Sequence, residues 1–135
     1  MELNKDCIRD VLIKCEQLLV MDDDGKMNHL SISNLSEALP DYDVATIRYT
    51  VIKMEEAGLL KVSTTRADNL SYIFVYDITY EGHELLDKIK EDNNWKTIKS
   101  YAAKVGSFSL SVLQQIAINM FTKNIDSIIW GKHGK

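Results

Sequence analysis

The chain has 135 residues, with 45% hydrophobic and 27% charged side chains, six glycines and one proline. That is the balance of one soluble globular domain with its own core, and it leaves little room for linkers or low-complexity tails. A net charge of −4 does not suggest general affinity for nucleic acid. The charge is uneven: residues 1–60 hold six Lys/Arg against twelve Asp/Glu, and residues 61–135 hold ten against eight. Attraction to phosphate is expected from the second half.

The first helix is capped by Asn4 and carries Ile8, Val11, Leu12, Cys15, Leu18 and Leu19 at spacings of three and four. It is expected to end near Met21, before a turn at Asp22-Asp23-Asp24-Gly25-Lys26. A short extended piece covers His29–Ile32. Ser33 is the expected cap of a brief helix over Asn34–Leu39, stopped by Pro40. Asp43 caps a third helix, with Val44, Ile47, Val51 and Met54 inward and Gly58 as its stop. A hairpin follows, with strands Leu60–Thr65 and Leu70–Ile78 around a polar turn at residues 66–69. Thr79 caps a fourth helix running to about Lys90, with Leu85, Leu86 and Ile89 inward. After Asp92-Asn93-Asn94 two more helices are expected. One uses Trp95, Ile98, Ala102 and Val105 and ends at Gly106. The other starts after Ser109 and continues or restarts through Ile125, Ile128 and Ile129.

The order helix, short strand, helix, helix, hairpin, helix predicts an α+β, mainly helical winged helix-turn-helix fold with a two-helix C-terminal extension. The expected division is a winged-helix domain over 1–92 and a helical extension over 93–135.

Three stretches carry a family resemblance: Leu3-Asn4-Lys5-Asp6-Cys7-Ile8-Arg9-Asp10-Val11-Leu12, Asp77-Ile78-Thr79-Tyr80-Glu81-Gly82-His83 and Lys104-Val105-Gly106-Ser107-Phe108-Ser109-Leu110. Together they resemble the family called domain of unknown function 2513, and the likeness spans nearly the whole chain. It implies a small protein of Gram-positive bacteria and their phages, and it brings no catalytic residues. The middle stretch is also similar to winged-helix regulators, in which Thr-x-x-Gly closes the wing and opens the next helix.

Catalytic and metal-binding readings find little support. Cys7 and Cys15 lie eight apart on one helix, roughly 12 Å along its axis, beyond the about 7 Å between Cα atoms that a disulfide allows. Both read as buried thiols of a reducing cytoplasm. Asp22-Asp23-Asp24-Gly25 looks like a calcium loop, but placing Gly25 at the required glycine puts Val20 first and Ser31 last, where a bidentate Glu is needed. His29, His83 and His133 have no zinc spacing. A Cys–His nucleophilic pair would need a cysteine off the apolar stripe. There is no Gly-rich phosphate loop, and no cofactor is expected. Met1–Asp10 is charged and lacks an apolar run, so no secretory leader is expected, and no stretch reaches the roughly 18 apolar residues of a membrane span. A cytoplasmic protein that is not an enzyme is expected.

If double-stranded DNA is the partner, the third helix is the recognition helix. Its expected outer face is Ala45, Thr46, Tyr49, Thr50 and Lys53, flanked by Arg48, with Arg66 at the wing tip. Residues 41–56 carry two positive and four negative charges, which weakens that reading. The alternative is an adaptor or inhibitor that engages a host protein through its acidic N-terminal half. The last helix is rich in apolar residues, and Leu113, Ile116, Met120, Phe121, Ile125 and Trp130 are the expected seam of a homodimer. The competing reading packs that helix back onto the first to complete a monomer core. The segment lacks the cationic face of a membrane-surface helix.

Overall fold

The computed structural model describes residues 1–107 and 109–130; within the last helix, side chains are described through 120 and at Thr122. Two compact units are present, Met1–Leu86 and the remainder from Asp87. The dividing point falls inside a helix, a few residues before the boundary expected from the sequence.

In the first unit, α1 spans Lys5–Leu18, and the Asn4 side chain accepts from the Cys7 amide at 3.0 Å. Cys7, Ile8, Val11, Leu12 and Cys15 are buried, each aliphatic member contributing about 1.5–3 kcal/mol of transfer free energy. The helix stops three residues before the expected Met21. Asn28 explains the stop: its side chain takes the Val20 amide at 2.7 Å and donates to the Leu18 carbonyl at 2.9 Å. Leu18, expected inward, is 38% exposed. The acidic turn is closed by a bridge between Met21 and Met27, and the Asp22 carboxylate accepts from the amides of Asp24 and Lys26.

Strand β1 (Leu30–Ser31) runs directly into α2 (Ile32–Ala38). The cap is Ser31, not Ser33. Its hydroxyl accepts from the Asn34 amide at 3.0 Å, and the Asn34 side chain accepts from the Ser31 amide at 2.9 Å, a reciprocal capping box. Helix α3 (Val44–Glu56) starts on Asp43 as expected, with Gly58 beyond its end at φ 77°. Strands β2 (Leu60–Ala67) and β3 (Leu70–Ile78) pair antiparallel, and the sheet order is β1-β3-β2. The hairpin turn is tighter than expected: Asp68 and Asn69 alone form it, at φ 53° and 67°. Two left-handed residues match the strand twist of a primed hairpin turn, and Asp and Asn tolerate that backbone better than other side-chain-bearing residues.

Helix α1 packs on α3 and β3, and α2 and β2 pack on α3. Leu12, Leu35, Ile47, Val51, Met54, Leu59 and Val75 form the center of this core. Helix α4 spans Tyr80–Ile89, with Leu85, Leu86 and Ile89 buried. Its Thr79 cap does two jobs. The hydroxyl donates to the Gly58 carbonyl at 2.6 Å and accepts from the Gly82 amide at 2.9 Å. Thr-x-x-Gly therefore ties the start of α4 to the end of α3.

The second unit holds α5 (Asp92–Val105) and α6 (Leu110–Trp130), which pack on each other. Gly106 ends α5 in the left-handed conformation at φ 80°. Trp95, Ile98 and Ala102 of α5 and Leu113 and Ala117 of α6 are buried. One expectation needs correcting: Val105 is 66% exposed rather than inward, because it closes the helix beside its glycine stop. Of the two courses open to the last element, it takes the continuous one, a single helix through Trp130.

Candidate functional site

Helices α2 and α3 and the β2–β3 wing form the arrangement that could meet a duplex. The sequence patterning missed two positions on α3. Thr50, expected outward, is 1% exposed. Its hydroxyl donates back to the Thr46 carbonyl at 2.7 Å, so the buried polar atom is satisfied within its own helix. It cannot reach DNA. Val44, expected inward, is 50% exposed. The first turn of α3 projects past the core, and its inward stripe begins only at Ile47.

The outer face of α3 is Val44 and Ala45, both exposed, with Thr46, Arg48, Tyr49 and Lys53 half-buried along it. Arg48 reaches the wing, where its guanidinium donates to the Ser71 carbonyl at 3.4 Å. That single long bond leaves most of its donors available. Lys53 lies over the Tyr49 ring at 5.5 Å and pairs with Glu56 at 3.1 Å. The Glu56 carboxylate holds its ammonium above the ordinary value. Asp43 takes the Thr46 amide at 2.7 Å, and hydrogen bonds from Thr46 hold its carboxyl below the ordinary value. An anion therefore stands at the N-terminal end of α3.

Residues 64–72 of the wing are all exposed. Arg66 lies opposite Ser71, one pair from the turn, and makes no ion pair among the described residues. Between α2, α3 and the wing lies a cleft of about 330 Å³, lined by Ile32, Val44, Arg48, Tyr72, Ile73 and Phe74 among others. Tyr72 is 45% exposed, and its neighbours Phe74 and Tyr76 hold the His29 ring at centroid distances of 6.5 and 5.8 Å. Residues 1–86 carry eight Lys/Arg against sixteen Asp/Glu, a balance of −8, and residues 87–135 carry eight against four, a balance of +4.

The seam residues expected on α6 divide. Leu113 is 2% exposed and belongs to the packing of α5 on α6, so it is not available to a partner. Ile116 and Met120 are half-buried. The side chains of Phe121, Ile125 and Trp130 lie outside the described residues, as does His133.

Among the described residues no group of three or more His, Cys, Asp or Glu could hold a metal ion, and no helix is long and apolar enough to cross a membrane. Cys7 and Cys15 are free and buried. Burial pushes the Cys15 thiol up to about 12. Burial also raises Cys7, against a hydrogen bond with Thr50 that lowers it. Neither is an activated thiolate at neutral pH.

Helix, strand, two helices and a hairpin on an antiparallel three-stranded sheet define a winged helix-turn-helix unit, here followed by a two-helix extension. The chain belongs to the family described as Hypothetical protein (DUF2513), whose model matches residues 2–109. It is 29% identical over 118 residues to an uncharacterized protein of Haemophilus influenzae, covering 87% of this chain and 92% of that one. These matches carry the family but not the Gram-positive and phage origin implied by the sequence resemblance. A MarR protein from Peptoclostridium difficile matches at a TM-score of 0.44 and 20% identity, over 96% of this chain and 74% of that one. The winged-helix assignment rests on this chain's own element order and sheet topology.

Proposed function

We propose that the protein is a non-enzymatic, cytoplasmic DNA-binding regulator that acts as a homodimer through its C-terminal helices. The observation that carries this reading is the outer face of α3, with Val44 and Ala45 exposed and Arg48, Tyr49 and Lys53 half-buried, beside a wing whose tip, residues 64–72, is exposed. Val44, Arg48 and Tyr49 would meet base edges from the helix, where apolar contact suits a thymine methyl and a guanidinium suits guanine. Thr46, Lys53 and Arg66 would meet the backbone. Thr50 drops out of the set and Val44 enters it. Few cations are available, so affinity should be modest and sequence selectivity should rest on shape and base contacts.

Selection from a random duplex library at low salt tests the reading. An enriched motif is expected; recovery of unselected sequence alone, or of none, would sink it.

A second reading, a protein-binding adaptor for a basic host partner, is favored by one observation, the balance of −8 on the winged unit. Under that reading, charge reversal at Asp41 and Asp43 would abolish partner capture, and the duplex library would enrich nothing.

A further inference from the structure

Residues 93–120 of the second unit hold Lys96, Lys99 and Lys104 and no Asp or Glu. Helix α5 buries Trp95, Ile98 and Ala102, at spacings of three and four, so its opposite face is open. That face carries Lys96, Ser100 and Lys104 at successive intervals of four, with Thr97 and Ala103 beside them, and all five are exposed. Lys99 stands at its edge, over the Trp95 ring at 5.8 Å. Lys104 lies over the ring of Tyr101 at 5.4 Å.

Nothing nearby in sequence answers these charges. Helix α6 has no charged residue from Leu110 through Met120, and Lys96 and Lys104 make no ion pair among the described residues. Lys53 of α3 differs, since Glu56 engages it at 3.1 Å. The second unit therefore presents open cations, whereas α3 presents a neutralised one.

The spacing and the company of these lysines point to their partner. An ammonium is a compact, strongly hydrated point charge. A row of them separated by Ser100, Thr97 and Ala103 offers no pocket for the buried anchor of a protein interface and no large apolar side chain for a membrane. It suits a regular polyanion. Lys96 and Lys104 are roughly 12 Å apart along the helix axis, a length over which a duplex presents about seven phosphate charges. The Thr97 hydroxyl already donates to the Asn93 carbonyl at 2.9 Å, which leaves the Ser100 hydroxyl as the donor between the two lysines.

We infer that the outer face of α5 binds the sugar-phosphate backbone of double-stranded DNA, independently of sequence, through Lys96, Ser100 and Lys104. This rests on the DNA reading for its partner and supplies what α3 and the wing lack, a source of affinity. Backbone contacts of this kind hold a protein on the duplex and carry no base information.

Fluorescence anisotropy with a short duplex of scrambled sequence, between about 50 and 200 mM salt, provides the test. Wild type is expected to bind, with log affinity falling linearly in log salt. Lys96→Gln with Lys104→Gln is expected to reduce that slope by about 2 and to weaken binding at least about tenfold at the lowest salt; each single variant should take about half of the slope loss. Lys26→Gln, at an exposed lysine in the acidic turn of the first unit, is expected to leave slope and affinity unchanged. Glutamine has nearly the helix propensity of lysine, so helical circular dichroism should be the same in all variants. Binding with an unchanged slope in the double variant would overturn the inference and leave the regulator reading intact. A lost slope on scrambled duplex, with no motif enriched from the random library, would support it and sink the regulator reading. No binding to any duplex, or binding only to vesicles of anionic phospholipid, would overturn both.

Discussion

Gly82 of α4 lies directly against the carbonyl of Leu59. A Cβ built on Gly82 would overlap that oxygen and stand 2.7 Å from the Cγ2 of Ile78. The backbone of the loop after α3 and the first turn of α4 approach as closely as they do only because no side chain intervenes. Gly82→Ala is therefore expected to destabilise the winged unit by about 1–3 kcal/mol, in spite of alanine's better helix propensity. Thr79→Ala, which removes the cap from the same junction, should cost about 1 kcal/mol. Urea unfolding followed by circular dichroism checks both, and a Gly82→Ala protein as stable as wild type would contradict the contact.

Tyr42 ties the loop before α3 to the first helix. Its hydroxyl donates to the Asp10 carboxylate at 2.6 Å. Burial, then the bond to Asp10, pushes the phenol well above its ordinary value. Tyr42→Phe should cost about 1.5 kcal/mol, the low end for a hydrogen bond to a charged acceptor. A double-mutant cycle with Asp10→Ala should show that the two losses are not additive.

Alkaline pH should weaken the fold. The Cys15 thiol rises from an ordinary 9.0 to about 12 in the folded chain, and Cys7 and Tyr42 shift in the same direction. Above pH 9 the unfolded chain gives up protons that the folded chain keeps. The stabilisation is complete below pH 9 and is lost progressively toward pH 12, by at most roughly 1.4 kcal/mol per pH unit for each thiol. Urea midpoints at increasing pH should fall across that window, and Cys15→Ala should make the decline shallower. A flat profile would contradict the burial of these thiols.

As a regulator, the protein should have a DNA affinity that responds to Arg66 and not to Thr50. Arg66→Ala should reduce the slope of log affinity against log salt by about 1, the signature of one lost phosphate contact. Thr50→Val should leave both the slope and the selected motif unchanged, because Thr50 is 1% exposed. Binding measured at several salt concentrations separates the two outcomes.

Much of this architecture can be read from local chemistry. Asp43, Gly58, Thr79 and Gly106 mark helix ends with their own side chains or backbone freedom, so their signals need no tertiary context. Ser31 and Ser33 show where that stops. Either serine could cap α2, and the choice falls to Ser31 because it also pairs with Phe74 and finds Asn34 three residues on. Thr50 and Val44 depart from the helical pattern for a related reason. Helix α3 is packed against α1, α2 and β2, so its buried face is wider than a single stripe and takes in Thr50. Its first turn extends beyond those neighbours and leaves Val44 open. The charge imbalance was legible at once, but the engagement of Lys53 by Glu56 and of Arg48 by the wing depends on side-chain reach that spacing alone does not reveal.

The doubling of Ser31 as strand residue and helix cap has a mechanical consequence. One residue is paired to Phe74 in the sheet and closes the first turn of α2, so there is no slack between them. A load applied to the wing would be passed through β3 to the axis of α2 as through a rigid elbow. The helix pair that frames the cleft would then tilt with the hairpin instead of yielding separately, and a contact made at the wing would be felt at α2 without any loop having to rearrange.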